Sequence, residues 1–362
     1  MKRITLLIFT ILSFSFSYGQ GLDSLKNVLD SIAKANDVVG MGVSVVEKGE
    51  IIWNHQYGYL KAQNKAAVDS LTLFQCASIS KPITALGVLK LYEEGKLHLD
   101  SNVNKYLKGW QLKGNRLTRD SSVTVRMLLN HTGGTNFHGG SRYKQNEELP
   151  TIIDLLRGKG QNPKIKVKYV PGTEWHYSGG GYMILSKIIE DVSGQTFEEF
   201  MQGNVLQPIG MKKSTFQHYR VKDSIPNIAF GHWKKGFPLK EGWYLNPRSA
   251  AAGLWSTSVD LCKYIIEIQE ILNGKVGGVI MQETAREMLK QGKNKWGLGP
   301  YTRLEDDGMW YFGHTGWNAG YKSIFDGSFN LSQGGFVILF NTEISMSVIH
   351  KMYTPIMDYY RW

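Results

Sequence analysis

Cysteine is nearly absent from this chain: only Cys76 and Cys262 occur in 362 residues. Their number and spacing fit neither a disulfide framework nor a zinc cluster. They fit either one bridge in an exported chain or two small buried thiols. The nine histidines do not gather at metal-ligand spacing, and there is no His-Glu-x-x-His. No metal site and no cofactor is therefore expected. A Gly-x-Ser-x-Gly nucleophile elbow is missing too, which argues against an α/β-hydrolase with a Ser-His-Asp triad. Beyond the first twenty residues no apolar run reaches membrane-spanning length. The formal net charge is +11, yet the basic residues are scattered as at Lys164, Lys166, Lys168, Lys212, Lys213, Lys234 and Lys235. Without a long basic run or an arginine-rich helix, this is a solvated surface with some attraction for anionic polymers, and nucleic acid is not an expected partner.

What is present begins with an export signal. Lys2 and Arg3 precede an apolar stretch over residues 4–16, and Ser17-Tyr18-Gly19 has the small-x-small form of a cleavage site. Residues 1–19 are expected to be a signal peptide. A mature chain over 20–362 would then act in the periplasm or outside the cell, with no stable membrane insertion. With 42% hydrophobic residues it can bury a large core.

Periodicity places a helix over 22–35 and a hairpin over 40–47 and 51–59. Helices follow over 83–94, 124–130, 151–157, 182–192, 197–205, 259–272 and 279–291. Strands are expected over 295–301, 309–312, 321–325 and 335–341, and a terminal helix over 345–359. The near-continuous apolar run Phe336-Val337-Ile338-Leu339-Phe340 marks a central strand. Strands at both ends with helices between predict an α/β (α+β) fold. One antiparallel sheet is built from both termini and carries a helical insertion. The α/β lobe is expected at about 20–76 and 280–362, and the helical lobe at about 77–279.

Three stretches carry candidate chemistry. In Phe74-Gln75-Cys76-Ala77-Ser78-Ile79-Ser80-Lys81-Pro82 a serine stands three residues before a lysine. If the backbone is helical from Ser78, both side chains share a face, and Pro82 fits the first turn. A buried lysine with a lowered pKa can take the proton of a serine hydroxyl. The same spacing also fits a helix cap at Ser78 or Ser80. Tyr177, beside the Gly179-Gly180-Gly181 run, is a candidate proton shuttle, or else an ordinary core tyrosine. Gly313-His314-Thr315-Gly316-Trp317 reads either as a plain turn or as an edge against which substrate lies, Gly316 permitting close backbone approach. The polar stretch over 135–149 is expected to border a pocket.

The ordered trio Ser78-x-x-Lys81, Tyr177-Ser178-Gly179 and His314-Thr315-Gly316 resembles the beta-lactamase-related serine hydrolases. That group includes class C beta-lactamases, DD-carboxypeptidases, D-aminopeptidases and esterases. Accessory stretches are similar too: Leu128-Leu129-Asn130-His131-Thr132-Gly133-Gly134, Gln207-Pro208-Ile209-Gly210-Met211 and Gly253-Leu254-Trp255-Ser256-Thr257. The resemblance spans nearly all of the mature chain and implies the serine beta-lactamase/DD-peptidase fold. It implies Ser78 as nucleophile, with Lys81 and Tyr177 sharing the proton traffic. The backbone N–H groups of Ser78 and Trp317 would form the oxyanion hole. His314, Thr315, Gly316 and Gly179 would lie against the substrate, with His314 orienting Tyr177 or binding a substrate carboxylate. The expected substrate is a small ester or a peptide, D-amino-acid peptides included. The alternatives are a weakly catalytic penicillin-binding-like receptor and a true beta-lactamase. Two departures stand out. Gly179 occupies the place of the usual asparagine, and His314 that of the lysine of beta-lactamases.

Overall fold

The computed structural model describes residues 21–63, 65–220, 227–306 and 308–360. The signal-peptide expectation for 1–19 lies outside them. Eight strands are described: β1 (Gly40–Glu47), β2 (Glu50–Gly58), β3 (Phe74–Ala77), β4 (Leu254–Ser256), β5 (Tyr301–Leu304), β6 (Trp310–Asn318), β7 (Tyr321–Ser328) and β8 (Gly335–Phe340). Helix α1 covers residues 21–35. It is followed by α2 (Ser80–Glu93), α3 (Val125–Leu129), α4 (Ile152–Arg157), α5 (Gly179–Ser193), α6 (Phe197–Met201), α7 (Gln207–Ile209), α8 (Ser249–Ala252), α9 (Ser258–Leu272), α10 (Gln282–Leu289) and α11 (Met346–Tyr360).

Six strands form one sheet in the order β2-β1-β8-β7-β6-β5, with every pairing antiparallel. The sheet joins both ends of the chain, as the sequence predicts, and β8 is central. Alternation along β1 and β8 separates two cores. Met41, Val43 and Val45 with Phe336, Ile338 and Phe340 pack under α1 and α11. Val46, Val337 and Leu339 face the larger core, which also holds α2, α5 and α9. Helix α9 falls in the stretch expected to belong to the helical lobe, yet it packs on β1, β7 and β8. The hydroxyl of Ser258 at its start receives a hydrogen bond from Ser44 of β1 at 2.8 Å. Cys76 and Cys262 are both buried and free.

Helix α2 is buried on nearly every side, from Ser80 to Leu89 and again at Leu91. A helix apolar all round belongs inside a large core, and this one lies between the sheet and the remaining helices. It begins at Ser80 rather than Ser78. Ala77 adopts a left-handed φ of 48°, so β3 turns sharply into α2 and leaves Ser78 on the bend. Ser80 is not a cap. Its hydroxyl donates to Ala77 O at 2.6 Å and accepts from Leu254 N at 2.9 Å, tying the bend to β4.

Three sequence expectations need correction. The strand expected over 295–301 begins only at its last residue, Tyr301 of β5: Asn294 and Lys295 have φ of 53° and 61°, Gly299 has φ of 118°, and the chain bends repeatedly before it. The stretch at 313–317 is not a turn but part of β6. Its glycines admit neighbours rather than reverse the chain. A Cβ at Gly316 would stand 2.3 Å from Cys76 O and 2.1 Å from Ser323 Oγ. The glycine run at 179–181 does not precede a helix but forms the first turn of α5, capped by the Ser178 hydroxyl, which accepts from Gly181 N at 3.0 Å. Glycine is a poor helix former. Here it is required by packing, because a Cβ at Gly179 would meet His138 O at 2.7 Å and one at Gly180 would meet Asn136 O at 2.5 Å.

Candidate active site

Strand β3 delivers Ser78 to a cleft of about 1110 Å³, which Lys81, Tyr177, His314, Thr315, Gly316 and Trp317 also line. Lys81 is 1% exposed, although it sits in the first turn of α2. Its Nζ lies 3.0 Å from Ser78 Oγ and donates to Ala251 O at 2.7 Å. It also stands over the rings of Tyr177 and Tyr182, at 4.8 and 5.6 Å. Among the described residues it has no ion-pair partner. Burial holds its pKa well below the usual lysine value, and the nearby Arg248 cation lowers it further. A neutral amine within hydrogen-bond reach of a serine hydroxyl can accept its proton.

The Tyr177 phenol is hydrogen-bonded to the Ser78 side chain. Burial raises its pKa above the ordinary phenol range, opposed by that bond and by Arg248, so it stays protonated. Tyr177 is held from behind by the stretch around His131. His131 accepts from Ser178 N at its Nδ1 (3.2 Å), and its carbonyl accepts from His176 N (2.8 Å). The two rings pack at 4.3 Å. The Leu128–Gly134 similarity thus acquires a physical role, which its sequence did not disclose: His131 positions Tyr177.

His314 is 2% exposed. Burial and the neighbouring Lys81 lower its pKa to about 3, against a hydrogen bond to Thr315 O. Its Nδ1 lies 2.6 Å from that carbonyl, which can only accept, so the ring proton is on Nδ1. The buried Nε2 is left as a bare acceptor. A neutral ring presenting a lone pair does not attract a carboxylate. Both roles expected for His314, orienting Tyr177 or binding a substrate carboxylate, have it facing the cleft, and its ring lies 6.2 Å from that of Tyr177.

Gly316 and Gly179 touch the protein rather than open space. Gly316 lets the end of β3 cross β6, with Ser323 Oγ donating to Cys76 O at 2.8 Å, and Ser78 and Trp317 line the same cleft. At Gly179 the backbone of 137–138 occupies the space a side chain would need, and Phe137 O accepts from Gly180 N at 3.0 Å. Strand β5 pairs with β6 only as far as Gly313. From His314 to Asn318, β6 has β7 on one side and no strand on the other. The backbone of Thr315 to Trp317 therefore borders the cleft.

Sequence reasoning missed Trp175, Trp296 and Arg248. The two indoles pack at 5.1 Å, and Trp296 meets His314 at 5.5 Å, making an aromatic wall behind the trio. The expected pocket border is present over 135–142. Among the described residues no His/Cys/Asp/Glu group could hold a metal ion. No helix there is long and apolar enough to cross a membrane.

The family model described as Beta-lactamase matches residues 25–351. The chain belongs to the beta-lactamase family. Within it, a Bacillus subtilis penicillin-binding protein is 30% identical over 58% of this chain and 45% of its own length. A second, putative penicillin-binding protein of that organism, PbpX, is 27% identical over 71% and 60%. The alignments thus span about half of these curated relatives. Among solved structures, the octameric penicillin-binding protein homologue of Pyrococcus abyssi covers 92% of this chain and 76% of its own, with a TM-score of 0.72 at 24% identity. The D-amino acid amidase of Ochrobactrum anthropi covers 93% and 99%, with a TM-score of 0.74 at 19% identity. These likenesses establish the shared fold of this beta-lactamase-family protein.

Proposed function

We propose that this beta-lactamase-family protein is an exported serine hydrolase, a single catalytic domain over 20–362 that cleaves an ester or amide through a Ser78 acyl-enzyme. The observation that carries the reading is Lys81: a buried amine 3.0 Å from a serine hydroxyl, whose one further hydrogen-bond partner among the described residues is a backbone carbonyl. Lys81, whose neutral form burial favours, takes the Ser78 proton as Oγ attacks the substrate carbonyl. The Ser78 and Trp317 N–H groups receive the developing oxyanion. Tyr177, still protonated, donates to the leaving group, and Lys81 returns the proton to Tyr177. A water entering by the reverse route releases the acyl group. Small esters and D-amino-acid peptides are the substrate classes, the latter by analogy with the amidase neighbour. The neutral His314 speaks against efficient beta-lactam turnover, because no permanent cation stands at that place in the third motif.

The test is labelling with a fluorophosphonate and a fluorescent penicillin, together with turnover on a panel of esters and D-peptide amides. Labelling of the wild type that disappears in Ser78→Ala supports the hydrolase. Binding of ligand with neither labelling nor turnover would point instead to a penicillin-binding-like receptor.

A further inference from the structure

The cleft has an asymmetry that the proposed chemistry does not use. Lys81, Arg142, Lys168, Arg248 and Lys322 line it, and among the described residues no aspartate or glutamate does. Lys81 belongs to the nucleophile. Of the others only Arg248 is buried, at 5% exposure. A guanidinium removed from water is costly unless a carboxylate or a full set of acceptors meets it. Among the described residues Arg248 has no ion-pair partner, and its Nε is buried without any acceptor. Around it stand the Phe137 ring, Tyr143, Tyr177, His138, the Lys81 amine and loop backbone, with no carboxylate paired to it among the described residues. The guanidinium lies 5.6 Å from the centre of the Phe137 ring. The 137–140 loop closes over it so tightly that a Cβ at Gly139 would reach its Nη1 at 3.0 Å. Burial lowers its pKa to about 10, so it remains a cation at neutral pH.

A planar, permanently charged fork in a cleft is suited to a carboxylate. The third-motif position, where this fold family carries its usual cation, holds the neutral His314, whose free Nε2 only accepts. We propose that Arg248 is the anion-recognition residue of this cleft, selecting substrates that present a carboxylate beneath the 137–140 loop. The proposal deepens the serine-hydrolase reading and rests on it for the word substrate. An ammonium placed at the same point would meet a buried guanidinium and no carboxylate.

The experiment compares a matched pair of aryl esters, 4-nitrophenyl hydrogen glutarate and its neutral methyl ester, on the wild type and on Arg248→Gln. The wild type is expected to favour the carboxylate in kcat/KM by about 10-fold or more, as a charged hydrogen-bond pair does. In Arg248→Gln that ratio is expected to fall by about 10- to 100-fold. A wild type indifferent to the charge overturns the proposal. So does a loss shared equally by both esters, which would assign Arg248 to the electrostatics of Lys81 alone. Should the glutamine variant not fold, Arg248→Lys replaces it. A compact ammonium in place of the fork is expected to give an intermediate ratio, and a ratio equal to the wild type refutes the fork. Calorimetric binding of glutarate to Ser78→Ala, with and without the Arg248 change, separates the two readings. If neither ester is hydrolysed, the hydrolase reading fails. The anion site then stands if glutarate binding depends on Arg248 and falls if it does not.

Discussion

Gly316→Ala is the substitution that probes most directly how the fold builds this site. The added Cβ would stand 2.1 Å from Ser323 Oγ, 2.3 Å from Cys76 O and 3.2 Å from Ala77 Cβ. The serine hydroxyl can rotate away, but the carbonyl of Cys76 cannot. Restoring ordinary van der Waals contact requires β3 to move by about 1 Å relative to β6. Ser78 follows Cys76 by two residues and travels with it. Forcing a methyl into a packed contact costs about 1–3 kcal/mol of stability. A displacement of about 1 Å at a nucleophile costs on the order of 100-fold in rate. The assay is the second-order rate of fluorophosphonate labelling, with urea unfolding measured on the same protein. The expected result is a fall of about 100-fold in labelling, with a folded protein destabilised by about 1–3 kcal/mol. Adding Ser323→Ala removes the softer clash and leaves the carbonyl, so the double variant is expected to stay slow. Labelling within threefold of the wild type and an unchanged unfolding midpoint would refute the claim that the crossing of β3 over β6 positions Ser78.

Lys81→Ala is expected to abolish acylation while the fold remains, and burst kinetics equal to the wild type would contradict its role as base. Lys81→Met is expected to raise stability at neutral pH. The unfolded lysine keeps its ordinary pKa and the folded one is depressed, so between the two values the unfolded chain binds more protons and wild-type stability rises with pH. Urea midpoints at pH 7 and pH 9 test this: the wild type should gain more over the interval than the methionine variant. In Arg248→Gln the acid limb of the labelling pH profile is expected to move to higher pH, because a cation that holds the Lys81 pKa down has been removed; an unmoved limb would show that burial alone sets it. Gly179→Asn, which restores the asparagine usual in related enzymes, is expected to destabilise by about 1–3 kcal/mol and not to raise activity. The new Cβ would meet His138 O at 2.7 Å, and thermal unfolding with ester turnover reads both effects.

How much of this was legible in the sequence depended on the kind of signal. Ser78, Lys81, Tyr177 and His314 were readable because their spacing and order survive without coordinates, and the structure brings all four to one cleft. The six-stranded sheet followed from alternation in β1 and the apolar run in β8. Strands β3 and β4 were not readable, since four and three residues carry no period. The stretch at 295–301 alternates like a strand, but left-handed residues at 294 and 295 bend it, and it supplies Trp296 to the cleft instead. Gly313 and Gly316 look like turn residues. Their lack of a side chain serves close approach by Tyr301 and Phe325, and by β3, which is tertiary information. The same holds for Gly179. Its departure from the family pattern reads as a missing carboxamide, whereas the structure gives that space to the 137–138 backbone. Arg248 gave no signal at all. One arginine before a run of small residues becomes meaningful only when the 137–140 loop folds over it.

The central claim is that Ser78, activated by buried Lys81, forms a covalent acyl-enzyme. Mass spectrometry of the intact protein, quenched during turnover of an aryl ester and followed by peptide mapping, tests it most directly. The account predicts one added acyl mass on the peptide containing Ser78, absent in Ser78→Ala and in Lys81→Ala. An adduct on another residue, or turnover that persists in Ser78→Ala, would contradict it.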